Sequence, residues 1–319
     1  MQLPFFCQTA LKLNLSRLIF ILLCTLSLSA CVSPSYDGTS REIPDNTQLA
    51  LSPNGQRLLV SWNDSSGKLH AKLLDLKGSE VATIREVALP PNTLSTTFAN
   101  NNAQILVTTW DKQVNQLLKI NLSDDSARLI YQSPYNLRFP LEVSDENYVF
   151  LEGQDAKNSI NLWQRFQHSE KTILNGMSYR SATRVNVIKD AVFIIEPWTP
   201  PAFRNLAGEL PQGLSALVDK TTFDIRCADR SPLTCLRKHL YYGDQGSYST
   251  MEILNGKQRC EIAGRWIDSR GVLISRDGSS VVFHAAMLRH GGTRAIYFIK
   301  NTGQSCTASS IAITGKALR

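Results

Sequence analysis

The chain has 319 residues, with 34 Lys and Arg against 27 Asp and Glu, so its formal net charge is a mild +7. Charges of both signs are spread throughout and no basic block occurs, which argues against nucleic acid as a partner and for an ordinary solvated surface. Once a leader and tether are set aside, the remainder has a size that a single all-β domain can fill.

Met1 to Arg17 carries only Lys12 and Arg17 as charges, and the eleven residues Leu18 to Leu28 are apolar except for Cys24, Thr25 and Ser27. That order matches the charged n-region and short h-region of a secretory signal. Such a run rises about 16 Å as helix, against a hydrocarbon core of about 30 Å, so a permanent membrane span is disfavoured. Leu28-Ser29-Ala30-Cys31 resembles the lipobox of bacterial lipoproteins. The resemblance implies cleavage after residue 30 and acylation of the Cys31 thiol, and several acyl chains on one residue anchor a protein stably. In a host with two membranes it further implies the outer membrane, facing the periplasm. Residues 31–48 then form the lipidated cysteine and a tether rich in Ser, Pro, Asp, Asn and Thr, leading to a body over residues 49–319.

Strand-like runs recur along that body: Leu58–Trp62, Ile105–Trp110, Tyr148–Leu151, Ala191–Ile195, Leu240–Tyr242 and Val281–His284. Their starts lie 47, 43, 43, 49 and 41 residues apart, a spacing that suits four-stranded propeller blades. A second strand follows at a near-constant offset in Lys68–Leu76, Asn115–Leu122, Asn158–Phe166, Tyr248–Leu254 and Thr293–Lys300. In the fourth unit the partner is displaced to Gly213–Lys220. The pattern predicts an all-β, six-bladed β-propeller, with seven blades as an alternative count and a β-sandwich as the competing fold. Each unit has an apolar face that it cannot bury alone, and radial stacking supplies the missing core.

Leu51-Ser52-Pro53-Asn54-Gly55-Gln56-Arg57 and Ile274-Ser275-Arg276-Asp277-Gly278-Ser279-Ser280 are similar to the Ser-Pro-Asp-Gly-Lys signature of TolB-like propeller repeats. Phe98–Gln104 and Glu142–Tyr148 hold worn copies, through Asn100-Asn101-Asn102 and Ser144-Asp145-Glu146-Asn147. In the good copies Asn54-Gly55 and Asp277-Gly278 make the turn between the innermost strand and the next, where Gly accepts positive φ. The resemblance implies a propeller whose faces bind proteins or peptides.

The proline-rich stretch 196–212 is read as a long connection and a partner-binding loop, with Trp198, Phe203 and Arg204 as its contact residues; a loop folded back on the propeller itself is the alternative. Beyond Cys31, the four cysteines Cys227, Cys235, Cys260 and Cys306 suggest disulfides, with three pairings open. Cys227 and Cys235 are the nearest pair, placed at the passage from the fourth unit to the fifth and so on the face of the 197–212 connection. Cys260 and Cys306 follow corresponding turns, Asn255-Gly256-Lys257 and Asn301-Thr302-Gly303. Matching places on adjacent blades lie beyond the ~7 Å Cα limit, so either the last register differs or both are reduced, with the bond favoured.

No catalytic residue, metal site or cofactor is expected. The histidines His70, His168, His239, His284 and His290 lack metal-ligand spacing. His290-Gly291-Gly292 has no nucleophile elbow to serve, since Gly213-Leu214-Ser215-Ala216-Leu217 lacks the final glycine. Asp124-Asp125 reads as a solvated turn. The expected function is a lipid-anchored, non-catalytic scaffold for envelope proteins. The alternatives are a propeller hydrolase or lyase with a central-channel site, and a glycan or small-ligand binder.

Overall fold

The computed structural model describes residues 43–44, 46–77, 81–154, 159–167, 169–178, 184–188, 191–196, 202–207, 213–229, 233–243, 246–287, 294–300 and 306–311. Blade 1 is β1 (Gln48–Leu51), β2 (Arg57–Asn63), β3 (Leu69–Asp75) and β4 (Ala82–Glu86), antiparallel in that order. Blade 2 repeats the plan with β5 (Thr93–Phe98), β6 (Gln104–Thr109), β7 (Asn115–Asn121) and β8 (Ala127–Ser133), and blade 3 with β9 (Asn136–Ser144), β10 (Asn147–Gln154), β11 (Ser159–Phe166) and β12 (Ser169–Ser178). Blade 4 shows three strands, β13 (Arg184–Ile188), β14 (Ala191–Glu196) and β15 (Ala202–Ala207).

The rest is one seven-stranded sheet, β16 (Thr222–Cys227), β17 (Thr234–Gly243), β18 (Gly246–Asn255), β19 (Gln258–Ile274), β20 (Ser280–Met287), β21 (Arg294–Lys300) and β22 (Ser309–Ile311). It is two blades joined without a loop. β19 pairs with β18 from Gln258 to Trp266 and with β20 from Trp266 to Ile274, so one strand is outermost in blade 5 and innermost in blade 6. Gly264, at φ +137, makes the bend: a Cβ there would lie 2.8 Å from the buried Trp266 ring. The six runs singled out by spacing are the second strands β2, β6, β10, β14, β17 and β20.

The second strands β2 and β6 read as unbroken apolar runs because both of their faces are buried between blades. In β2, Leu58, Val60 and Trp62 pack with Val282, Ile296 and Phe298 of blade 6, while Leu59 points the other way, into Phe98, Ile105 and Val107 of blade 2. In β6 the same alternation sends Ile105 and Val107 to blade 1 and Leu106 to Tyr148 and Phe150 of blade 3.

The ring closes without a shared strand, since β1 pairs with β2 and β22 with β21. Apolar packing of blade 1 on blade 6 joins the ends, helped by Asp277 N–H donating to the Pro53 carbonyl at 3.1 Å. Ile43 also packs into this closure core and Gln48 already belongs to β1. The expected tether therefore ends earlier than residue 48, because the apolar Ile43 finds a buried site.

Two further expectations are corrected. The partner of β14 is β15, with Ile195 opposite Phe203, not Gly213–Lys220; Ser215–Leu217 is a 3-10 turn. The connection from β14 is thus residues 197–201, and the prolines flank a strand instead of marking one long loop. No helix among the described residues is long and apolar enough to cross a membrane.

Candidate functional site

Antiparallel order sorts the connections onto two faces. Turns from first to second strand in each blade lie on one, the hairpin face. Second-to-third connections and passages between blades lie on the other, the mouth face. The two well-kept motif copies build matching hairpin turns. Ser52 and Ser275 Oγ donate to Asn54 Oδ1 (2.9 Å) and Asp277 Oδ1 (2.6 Å), and accept from Arg57 N–H and Ser280 N–H. Gly55 and Gly278 stand at φ +65 and +69; Asn102 and Glu146 occupy the same left-handed position in the worn copies, at +56 each.

The innermost strands enclose a central channel. At the mouth face it widens to a cavity of 470 Å³, walled by Ser95, Thr96, Leu141, Val185 and Leu273, with Phe139 on its rim. Phe139 sits at φ +49, a conformation that a bulky residue adopts only under constraint, on a bulged stretch of β9 just before Pro140. Cations outnumber acids at this opening: Arg226, Lys238 and Arg270 stand against Asp224. Arg226 holds Asp224 through Nε (3.3 Å) and Nη2 (3.2 Å), and Lys238 donates to the Ser269 carbonyl at 2.9 Å while lying over the Phe223 ring.

Toward the hairpin face the channel narrows to 170 Å³ and Arg276 spans it. From blade 6 its guanidinium donates to Asp229 of blade 5 at 2.7 Å, to the Glu142 carbonyl of blade 3 at 3.4 Å and to Asn100 Oδ1 of blade 2. Arg276 occupies the place that Pro53 fills in the first motif copy. That departure is the signal by which the sequence could have disclosed it.

Two polar clusters sit off the channel axis. Between blades 2 and 3, Glu142 accepts from Lys119 Nζ (2.7 Å) and Asn100 N–H (2.9 Å). Burial pulls the Lys119 pKa down, but the hydrogen bond and charge of Glu142 outweigh it, and the net shift is upward. Glu142, Asp145 and Glu146 come close enough to suggest a cation site, yet Glu142 is taken by Lys119 and Glu146 by Arg128 at 2.5 Å. In blade 5, buried Glu252 is held by Arg237 (2.5 Å), His239 (2.6 Å) and Arg259. Burial alone would raise its pKa; the hydrogen bonds from His239 and Arg237 bring it below the ordinary value.

Thr221, His239 and Glu252 also line up as hydroxyl, imidazole and carboxylate, at 2.9 and 2.6 Å. The hydroxyl proton goes to Asp219 Oδ1 at 2.8 Å. Thr221 Oγ1 is left to accept from His239, so this order of groups does not activate a nucleophile.

Of the residues singled out by sequence, Leu28, Ser29, Ala30, Cys31, His168, Trp198 and His290 lie outside the described residues. Phe203 and Arg204 belong to strand β15 and not to a loop. Cys227 and Cys235 are bonded, directly opposite each other on β16 and β17. Their turn is internal to blade 5 and opens on the hairpin face, opposite the 197–201 connection, because Thr222–Cys227 is that blade's own first strand. Cys260 and Cys306 are bonded too, with Cα atoms 6.0 Å apart. The two places do not match, so the last register differs from the expected one: Cys260 lies within β19 opposite Ile253, whereas Cys306 lies three residues ahead of the short β22. Asp125 pairs with Arg85 of blade 1, and Asp124 caps Ser126, so that turn is tied down.

Sequence reasoning missed the exposed apolar and aromatic side chains of the mouth face. Trp110, Val114, Tyr135 and Tyr242 are all exposed there, Tyr242 at 82%. Trp110 reads as the end of a strand, but β6 stops at Thr109.

No family model and no curated protein matches the sequence. Solved structures match in fold. The β-propeller domain of the Trilobed protease from Pyrococcus furiosus, described as having an open velcro topology, gives a TM-score of 0.51 at 10% identity, over 83% of this chain and 83% of that one. TolB from Acinetobacter baumannii gives 0.51 at 14% identity, over 85% of this chain and 67% of that one. An acylaminoacyl peptidase from Pyrococcus horikoshii gives 0.51 at 9% identity, over 84% and 45%. This chain spans less than half the length of that peptidase, and 41% of a matched prolyl endopeptidase chain. Likeness at these identities establishes the fold alone: a β-propeller.

Proposed function

We propose that the chain is a lipid-anchored β-propeller of a bacterial envelope that holds protein partners on its mouth face and catalyses no reaction. The observation that carries this reading is the exposure of the aromatic residues Tyr135 and Tyr242 on the face where the channel opens. Aromatic side chains of this kind are the usual anchors of protein contacts, since they bury much area for little lost rotamer freedom. The channel wall supports the non-catalytic part. Its acids Asp224 and Glu142 are each committed to a cation, and the carboxylates with displaced pKa values, Asp64, Asp124, Glu146, Asp219 and Glu252, are lowered and lie off the channel. Several proteins of like fold are named as peptidases, and a propeller alone does not decide between scaffold and enzyme.

The anchor in this reading is Cys31, in the outer membrane facing the periplasm, with effect through raised local concentration. Palmitate labelling of wild type and Cys31→Ser tests it; equal incorporation contradicts it. Co-purification of envelope proteins tests the face. Tyr135→Ala/Tyr242→Ala should lose partners that Phe166→Ala, on the hairpin face, keeps. Identical partner sets in the two variants would refute the assignment.

A further inference from the structure

We propose that a groove at the rim of the mouth face, on blade 2, is a subsite for one uncharged pyranose ring of a saccharide chain, stacked on Trp110. The groove has a volume of 280 Å³ and lies between the Pro90–Asn92 turn and the loop that follows β6. Its lining combines an indole with amide side chains and two prolines. Trp110 is 48% exposed, whereas Trp62 and Trp266 are fully buried, so about half of this residue is open to a ligand. Asn92, Gln113 and Gln116 contribute amides around it and Asp111 a carboxylate.

That combination selects a ligand class. A pyranose presents C–H bonds on one face, which stack on an indole, and hydroxyls at its edge, which need both donors and acceptors from the protein. Amides offer both. No Lys or Arg lines the groove, and Asp111 adds a negative charge, so phosphate and uronate groups are disfavoured. A proline-rich peptide would instead want several aromatics forming a ladder; here the prolines, Pro90 and Pro91, belong to the wall itself.

The groove is also built in advance. Thr93 N–H and Oγ1 both donate to the Pro90 carbonyl, at 3.1 and 2.7 Å, closing one wall. The other is closed by Asp111 N–H to Asn115 Oδ1 at 2.9 Å, Gln113 N–H to Asp111 Oδ1 at 3.0 Å and Gln116 N–H to Thr109 Oγ1 at 3.1 Å. Trp110 N–H donates to the Asn92 carbonyl at 2.7 Å and ties the two together. A ligand would therefore meet walls that are already ordered.

The test titrates the purified full chain with cellotetraose and chitotetraose, with tetragalacturonate and a decaproline peptide as the other arms, read by calorimetry. At least one neutral oligosaccharide should bind, with an affinity insensitive to salt. Trp110→Ala should weaken binding about tenfold or more, and Gln113→Ala less, while near-ultraviolet circular dichroism confirms that both variants are folded. Failure of both neutral sugars to bind, preference for tetragalacturonate or decaproline, or unchanged binding in Trp110→Ala would overturn the proposal.

Discussion

Arg276 and Asp229 hold each other twice: the guanidinium donates to the Asp229 carboxylate at 2.7 Å, and the Asp229 N–H donates back to the Arg276 carbonyl, also at 2.7 Å. This clasp joins the hairpin turns of blades 5 and 6, and the same side chain reaches on to blades 2 and 3. In a ring closed without a shared strand, a cation at the narrow end of the channel ties blade 6 to blades 2, 3 and 5 through one side chain.

Arg276→Ala should therefore lower stability by about 1–2 kcal/mol, the scale of a charged hydrogen bond discounted for the partial exposure of this side chain. Urea unfolding would show it as a lower midpoint. Arg276→Lys should recover only part of the loss, since an ammonium cannot reproduce the planar fork.

The two disulfides should differ in weight. Cys260–Cys306 closes 46 residues and Cys227–Cys235 closes 8. Chain entropy then assigns about 4 kcal/mol to the first and about 2.5 kcal/mol to the second. Unfolding of Cys260→Ser/Cys306→Ser beside Cys227→Ser/Cys235→Ser checks the order.

Glu252 gives a pH dependence. Its folded pKa lies below the unfolded value, so its stabilising contribution is present above the unfolded pKa and fades as pH falls through the folded one. Below about pH 4.5 the wild type should lose stability more steeply than Glu252→Gln. At neutral pH the same variant should be destabilised by about 1–3 kcal/mol, since buried Arg237 keeps only the more exposed Asp219 as a counter-charge. Thermal melts across pH 3–7 (about) read both effects.

Gly55→Ala probes the closure. At φ +65 an alanine is strained, and its Cβ would meet Ser280 Oγ at 2.6 Å across the junction of blades 1 and 6. A loss of about 1–3 kcal/mol is expected. Gly67→Ala, also at positive φ but in open space, should show the backbone cost alone.

The strands most legible in the sequence were the ones with two buried faces. Leu58–Trp62 and Ile105–Thr109 stand out because neither face needs polar residues. β15 was hidden because prolines precede it and Arg204-Asn205 interrupt its apolar pattern. β19 was not foreseen as one strand; Gly264 and Gly271 stand at positive φ within it. The face of the Cys227–Cys235 turn was misplaced because Thr222–Cys227 was not recognised as an inner strand. For the site, local motifs located the hairpin turns but not what lies between them. Arg276 gains its role from Asn100 and Asp229, far away in sequence, and the exposure of an aromatic such as Trp110 depends on where a strand stops.

The most direct test of the mouth face as the partner-binding surface is site-specific photocrosslinking in intact cells. A photoreactive phenylalanine analogue at Tyr242, exposed on the mouth face, should crosslink to a discrete envelope protein, and the same analogue at Phe166, exposed on the hairpin face, should not. Crosslinks from Phe166 alone, or the same products from both positions, would contradict the account.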